Sequence, residues 1–296
     1  MDNETKKEKK TKKISKTRLR NITGTVVYHI FMILFGLLML YPVIWMVLSS
    51  FKNTREVMTV PTRLFSDHLY FINYANGWRG VGNVSFGVFF KNSFIISGIG
   101  TIGTVISSAL VAYGFSRIKF PLKRFWFTCM LLTMMLPYQI IMVPQFVIFD
   151  KLNWTNSPLP LIVPAFGGGA FFIFLIMQFI SGIPGELDQA AKIDGCGRYG
   201  IFFRVILPLI KPAVFTAAIF SFYWKWDDFL GPLLYLNSPQ QYTVSLALKM
   251  FSDPDSIPDW GAMFAMSTLS LLPIFIIFLT CQRYLVEGIS TTGLKG

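Results

Sequence analysis

"ELDQAAKIDGCGRYGIFFRVILPLIKP", residues 186–212, is the stretch on which the reading of this chain turns. The sequence on either side is oily; here it becomes polar, small and helix-forming before turning apolar again. Pro184 stands near a helix start, and Glu186 and Asp188 fall in the first turn, where carboxylates suit the positive end of the helix dipole. Leu187, Ala190 and Ala191 form a small apolar face, and Gly195 is a natural stop just past the last turn. A helix over 186–194 rises about 14 Å, under half the thickness of a bilayer core, so it does not span one. Alone in water so short a helix is marginal, so it has to dock on something. Adjacent alanines offer a low surface that enters a partner's groove. Pro208 then breaks the next helical segment.

The flanks are membrane segments. Of 296 residues 53% are hydrophobic and 14% charged, against about 25% charged in an ordinary soluble domain. Six apolar stretches reach the roughly 20 residues a helical span needs: 25–49, 92–115, 125–149, 160–182, 213–236 and 263–285. The expected fold class is therefore an all-α membrane protein of six transmembrane helices. A basic tail, 1–24, precedes one six-span domain, 25–296, whose core covers about 88–285. No soluble domain and no internal repeat is visible. The first apolar run exceeds a signal-peptide core and has no small-x-small cleavage site after it, so it reads as a retained span.

The net charge of +12 does not point to nucleic acid. Nine Lys/Arg lie before Asn21, ahead of an apolar run, rather than over a folded basic face. The tail and the connections at 117–124, 184–211 and 282–296 hold nineteen Lys/Arg, and the other loops seven. That asymmetry puts both termini and the opening stretch in the cytoplasm. The head before Arg18 is expected to be disordered. Cys129, Cys196 and Cys281 show no metal or redox spacing, and His29 and His68 are too few for a zinc site.

Several spans are interrupted. Pro137 and Pro144 fall in the third, and Pro164 with Gly167, Gly168 and Gly169 in the fourth. The backbone groups they free have to be met by neighbouring helices or by a wet cavity. "GIGTIG" at 98–103 matches a dinucleotide-binding fingerprint, but it lies inside a span with no strand before it. Gly100, Thr104, Ser108 and Ala112 recur every four residues there, the pattern of close helix packing. The fifth span carries Lys225, Asp227 and Asp228. Ionisable groups at that depth line a solute path or serve structurally, as a Lys225–Asp228 pair or a polar helix end. Both readings stand. No catalytic constellation and no phosphate-binding loop is present, so the chain is expected to be no enzyme, to bind no cofactor or metal, and to draw any pumping energy from elsewhere.

The spacing Gln189-Ala190-Ala191, three residues, Gly195, nine residues, Val205-Ile206-Leu207-Pro208 resembles the Glu-Ala-Ala loop of ATP-binding cassette importer permeases. Glu186, Leu187 and the Asp194-Gly195 pair are similar to the carbohydrate subgroup, which includes the maltose-type permeases. "WDDFLGPLLYL" and the final "GISTTGLKG" are similar to it as well. The resemblance runs from about residue 25 to the end and implies the type I importer fold. It implies that Glu186, Leu187, Gln189, Ala190, Ala191, Asp194, Gly195, Leu207 and Pro208 belong to a cytoplasmic coupling loop. The implied partners are a homologous sister permease, two ATPase subunits that use ATP and magnesium, and an external solute-binding protein, all at a bacterial cytoplasmic membrane. The implied cargo is a di- or oligosaccharide; the alternatives are a polyol or glycerol phosphate on the same machinery, or a secondary transporter. Two positions depart from the motif: Gln189 replaces Glu, which removes a charge, and Val205 replaces Ile. The loops 52–91 and 237–262, with Tyr70, Phe71, Tyr74, Trp78 and Trp260, are the expected docking surface for the binding protein.

Overall fold

The computed structural model describes residues 2–251 and 258–293, with side chains over 24–251 and 258–284. The final "GISTTGLKG" and residues 252–257 of the second expected docking loop therefore lie wholly or partly outside the described side chains. α1 (Asp2–Ser49) is continuous. The basic head is thus helical rather than disordered. It is built mainly of Lys, Glu and Thr, with Glu8 four residues before Lys12, a spacing that favours helix. The apolar part, Gly24–Ser49, is left unburied by the rest of the chain until its last turns, where Trp45 meets Phe264 with ring centroids 5.2 Å apart.

A small lobe follows, with α2 (Thr54–Thr59) and α3 (Ile72–Arg79). Its hub is Asn73, which donates from Nδ2 to the carbonyls of Ser50 and Lys52 at 2.9 and 2.8 Å. Lys52 is fully buried and donates to the Arg63 carbonyl. Burial holds its ammonium below the usual lysine range, with Glu56 opposing. The lobe closes through a turn in which Val81 and Val84 exchange amide–carbonyl bonds of 3.2 and 3.1 Å.

Gly80 enters that turn at φ +80°, and a Cβ there would lie 1.8 Å from the Val84 carbonyl oxygen. Gly80→Ala is expected to open the lobe, because a left-handed residue costs about 1–2 kcal/mol even before a backbone collision. Gly82 shares a positive φ, +60°, but has only Pro239 Cγ at 4.0 Å. Limited proteolysis of membrane-embedded protein should cut Gly80→Ala at least tenfold faster than Gly82→Ala within residues 60–85; equal rates would refute the collision.

α4 (Phe86–Arg117), capped by the Ser85 hydroxyl, is the central mast. At 32 residues it is about 48 Å long. Every member of the small-residue stripe, Gly100, Thr104, Ser108 and Ala112, is buried on it, as the spacing requires. The dinucleotide-like "GIGTIG" lies mid-helix. α5 (Lys123–Met135) and α6 (Tyr138–Lys151) bend by 101° at Leu136 and Pro137, both extended, so the third span is interrupted at Pro137 as expected, while Pro144 lies inside α6. Neither helix has a buried residue.

The fourth span is α7 (Leu159–Ile162), a 3₁₀ turn (Val163–Gly167) and α8 (Ala170–Ser181). The break occurs at Gly168, φ +80°. Its freed groups are met by α4: the Ser108 hydroxyl accepts from the Gly169 amide at 3.1 Å, and the Ser107 hydroxyl donates to the Ala165 carbonyl at 3.4 Å.

Next come α9 (Glu186–Ile193), α10 (Arg198–Ile201), a π-helical turn (Phe202–Ile206) and α11 (Leu207–Leu209). α12 (Lys211–Asp227) leaves them at 78°. It ends earlier than the expected 213–236 because Asp228 is extended, φ −62° and ψ 120°, and Gly231-Pro232 move into α13 (Leu230–Tyr235). A 3₁₀ turn (Pro239–Gln241), α14 (Val244–Met250) and α15 (Trp260–Gly293) complete the described chain. Among the described residues four helical segments are long and apolar enough to cross a membrane, and up to six when each bent pair counts as one span.

Among the described residues two apolar cores lie at opposite ends of α4. One joins Ala109, Ala112 and Tyr113 to Ile176, Ile206 and Ala213 beside α9. The other joins Phe86 and Phe89 to Trp226, Val244, Ala265 and Met266 below the lobe. Between them the buried face of α4 is mostly polar and small, with Ser93, Ser97, Gly100, Thr101, Gly103 and Thr104 around Ile96.

Candidate functional site

α9 ends as its sequence requires. Gly195, at φ +82°, lets its amide reach the Lys192 carbonyl at 3.0 Å and the Cys196 amide reach the Ala191 carbonyl at 2.8 Å, the paired bonds of a glycine-terminated helix. Glu186 and Asp188 occupy the first turn. The expected apolar face over Leu187, Ala190 and Ala191 is split. Ala191 and Asp188 turn inward and are buried, whereas Leu187, Gln189 and Ala190 face outward. The cause is Arg117, at the end of α4. Its Nε pairs with Asp188 Oδ2 at 3.2 Å, and its Nη2 donates to the Ile183 carbonyl at 2.6 Å. A buried carboxylate is costly without such a partner. One turn earlier on the same face of α4, the Tyr113 hydroxyl donates to the Arg198 carbonyl at 3.1 Å. A cavity of about 350 Å³ lies here, lined by Tyr113, Arg117, Lys119, Asp188, Lys192 and Arg198.

The outward side carries large apolar groups among its polar ones. Ile193 is 87% exposed and Tyr199 79%, with Leu187 and Phe203 beside them in sequence also exposed. Large apolar groups displayed this way mark a contact surface. Gln189 and Glu186 are both exposed one turn apart, and so are Asp194 and Pro208, while Leu207 is half-buried. Arg117, Tyr113, Ile193 and Tyr199 were not singled out from the sequence. Nothing local marks the first pair, whose partners lie 66 and 85 positions away. Ile193 and Tyr199 do carry a signal, as large apolar residues in a loop otherwise polar and small.

The ionisable group of the fifth span is separated rather than paired. Lys225 is half-buried, and its chain lies across Gly100, where a Cβ would come within 2.9 Å of Cδ and 3.3 Å of Nζ. Among the described residues no ion pair within 4.0 Å joins it to Asp228. Asp228 lies beyond the helix end, where its Oδ1 accepts from the Gly231 amide at 3.1 Å and starts α13; Asp227 is exposed. The buried hydroxyls of Ser97, Thr101 and Ser221 have no hydrogen-bond partner among the described residues. Lys225 and these hydroxyls make a polar seam between α4 and α12. Among the described residues no cluster of three His, Cys, Asp or Glu is placed to hold a metal.

At the other end the two expected docking loops meet. Thr54 donates to Asp259 at 3.1 Å, and the Asn92 amide group donates to the carbonyls of Gln240 and Tyr242 at 2.8 and 3.0 Å. Phe71 and Trp78 are exposed there, and Tyr70, Tyr74 and Trp260 half-buried.

Residues 104–291 match the family described as the binding-protein-dependent transport system inner membrane component. The chain is 33% identical over 286 residues to a probable ABC transporter permease, YurM, of Bacillus subtilis (strain 168), covering 95% of this chain and 92% of that one. It is 32% identical to the arabinooligosaccharide transport permease AraQ of the same organism, over 94% of this chain and all of that one. The diacetylchitobiose uptake permease NgcG of Streptomyces coelicolor (strain ATCC BAA-471 / A3(2) / M145) is 29% identical over 88% of this chain and 86% of its own. Among solved structures, a chain of a bacterial ABC transporter involved in alginate import superposes with a TM-score of 0.77 at 20% identity, covering 88% of this chain and 95% of that one. A mast with interrupted spans packed against it, a short helix at one end and a lobe at the other make the type I permease fold. With the family match over residues 104–291, this chain belongs to the inner-membrane components of binding-protein-dependent transport systems, and is a transport subunit rather than an enzyme.

Proposed function

We infer that this chain forms half of the translocation path of an ATP-driven carbohydrate importer, with α9 as the helix that docks on an ATPase subunit. The observation that carries this reading is the exposure of Leu187 and Ile193 on α9 and of Tyr199 on α10, while the Asp188 side of α9 is gripped by the mast. Glu186, Gln189, Ala190, Asp194, Gly195, Leu207 and Pro208 complete the loop. The unburied surfaces of α1, α5 and α6 suit a homologous sister permease. ATP and magnesium belong to the two ATPase partners. The α9 end lies on the cytoplasmic side with both termini, in keeping with its Lys/Arg excess, and the lobe faces an external binding protein. Lys225 and the seam hydroxyls line the solute path, and Asp227 and Asp228 lie where α12 opens toward the lobe.

The carbohydrate assignment draws on relatives named for arabinooligosaccharides, diacetylchitobiose and lactose. Cells lacking this chain should lose uptake of one labelled member of a panel of mono-, di- and oligosaccharides, and regain it when the chain is returned. Full uptake of every member without the chain would sink the carbohydrate reading. Failure of an ATPase subunit to co-purify with the chain would sink the docking reading.

A further inference from the structure

We propose that Tyr113 and Arg117 form a clasp that makes α4 travel with α9, so that the mast is the arm carrying ATPase motion to the polar seam. The inference rests on the reading that α9 docks on an ATPase. The two residues are one turn apart on one helix face and grip the loop at three points. Arg117 holds the Ile183 carbonyl before α9 and the Asp188 carboxylate within it, and Tyr113 holds the Arg198 carbonyl after it.

The covalent connections of α9 are softer than this. Toward α8 it is linked through Gly182, Ile183, Pro184 and Gly185, and toward α12 through Gly195, Gly197 and Gly200 and a 78° bend. Glycine-rich links absorb displacement by backbone rotation. The clasp joins α9 to an unbroken helix of 32 residues with no proline. A displacement entering at Asp188 therefore moves α4 as one body. That body carries Gly100, on which Lys225 lies, and Ser107 and Ser108, which hold the broken backbone of the fourth span. Both parts of the seam shift when the mast shifts.

Arg117 and Tyr113 are positioning residues, and the readout is solute transported per ATP hydrolysed by the complete transporter in lipid vesicles with its loaded binding protein. Arg117→Gln and Asp188→Asn should each lower that ratio about tenfold while ATP hydrolysis stays within about threefold, and the double variant should be no worse than Arg117→Gln alone, since that change already removes the Asp188 pair together with the Ile183 bond. Tyr113→Phe keeps the ring on Phe202, whose centroid is 5.1 Å away, and should lower the ratio about threefold with the complex fully assembled. An unchanged ratio in Tyr113→Phe and Arg117→Gln would overturn the clasp. Transport and hydrolysis falling together, in step with the amount of assembled complex, would also overturn it and leave only a structural role. An unmodified chain that does not bind its ATPase refutes the docking reading instead, before any variant is compared.

Discussion

Gly195→Asp should leave the chain in the membrane at near-normal amount and lower uptake about 100-fold. A Cβ at Gly195 meets nothing within 4 Å, so the fold accommodates a side chain. The local cost is the positive φ of +82°, about 1 kcal/mol. The larger loss comes from outside the chain. The open space around Gly195, beside exposed Ile193 and Asp194, is space the docked partner fills. An unpaired carboxylate buried there costs about 2–5 kcal/mol of binding, and each 1.4 kcal/mol is a factor of ten. Gly195→Ala carries the same backbone penalty without the charge and should stay within about tenfold of the unmodified chain. Uptake and membrane content measured side by side separate the two effects. Equal uptake by Gly195→Asp and the unmodified chain would remove α9 from the docking surface.

Gly195 also shows what kind of information the sequence carries. Its place after a run with acids at the front sets a helix end, and the end forms with both expected bonds because the rule is local. The stripe at Gly100, Thr104, Ser108 and Ala112 is legible for the same reason: four-residue spacing puts the small groups on one face, and all four are buried. Pro137 and Gly168 mark breaks, and breaks occur there. What a proline does not state is how far the chain turns, and the 101° bend between α5 and α6 follows from two successive extended residues. The orientation of α9 was only partly legible, because spacing groups Leu187, Ala190 and Ala191 as one face for a partner, whereas Ala191 turns inward beside Asp188. The pull of Arg117 on Asp188, from a residue on another helix, decides it. Composition likewise fails to separate core from interface: α5 and α6 are built largely of apolar residues, yet neither has a buried residue.

Trp226→Ala should cause the largest loss of stability of any single side-chain truncation near the lobe. The indole is 4% exposed and joins three helices. Its centroid lies 4.8 Å from Phe94 of α4 and 5.6 Å from Phe222 of α12, and its Nε1 donates to the Ser270 carbonyl of α15 at 3.1 Å. That carbonyl lies three residues before Pro273, where the missing amide and the ring loosen the helical ladder. Truncation leaves a cavity among Phe90, Phe94 and Phe222, and removing a buried Trp costs about 3–5 kcal/mol. In a thermal melt of the purified protein this corresponds to a midpoint lower by roughly 10 °C. Trp226→Phe keeps a ring in place and loses the Nε1 bond, about 1 kcal/mol, and should lower the midpoint by only about 3 °C. Trp224, two residues earlier, is 46% exposed against Phe171 and Phe172, and its truncation should fall between these values. If Trp224→Ala proved as damaging as Trp226→Ala, burial within one chain would not be what ranks them, and Trp224 would have to be covered by a partner. The comparison therefore separates the core this chain supplies from the surface it leaves for another subunit.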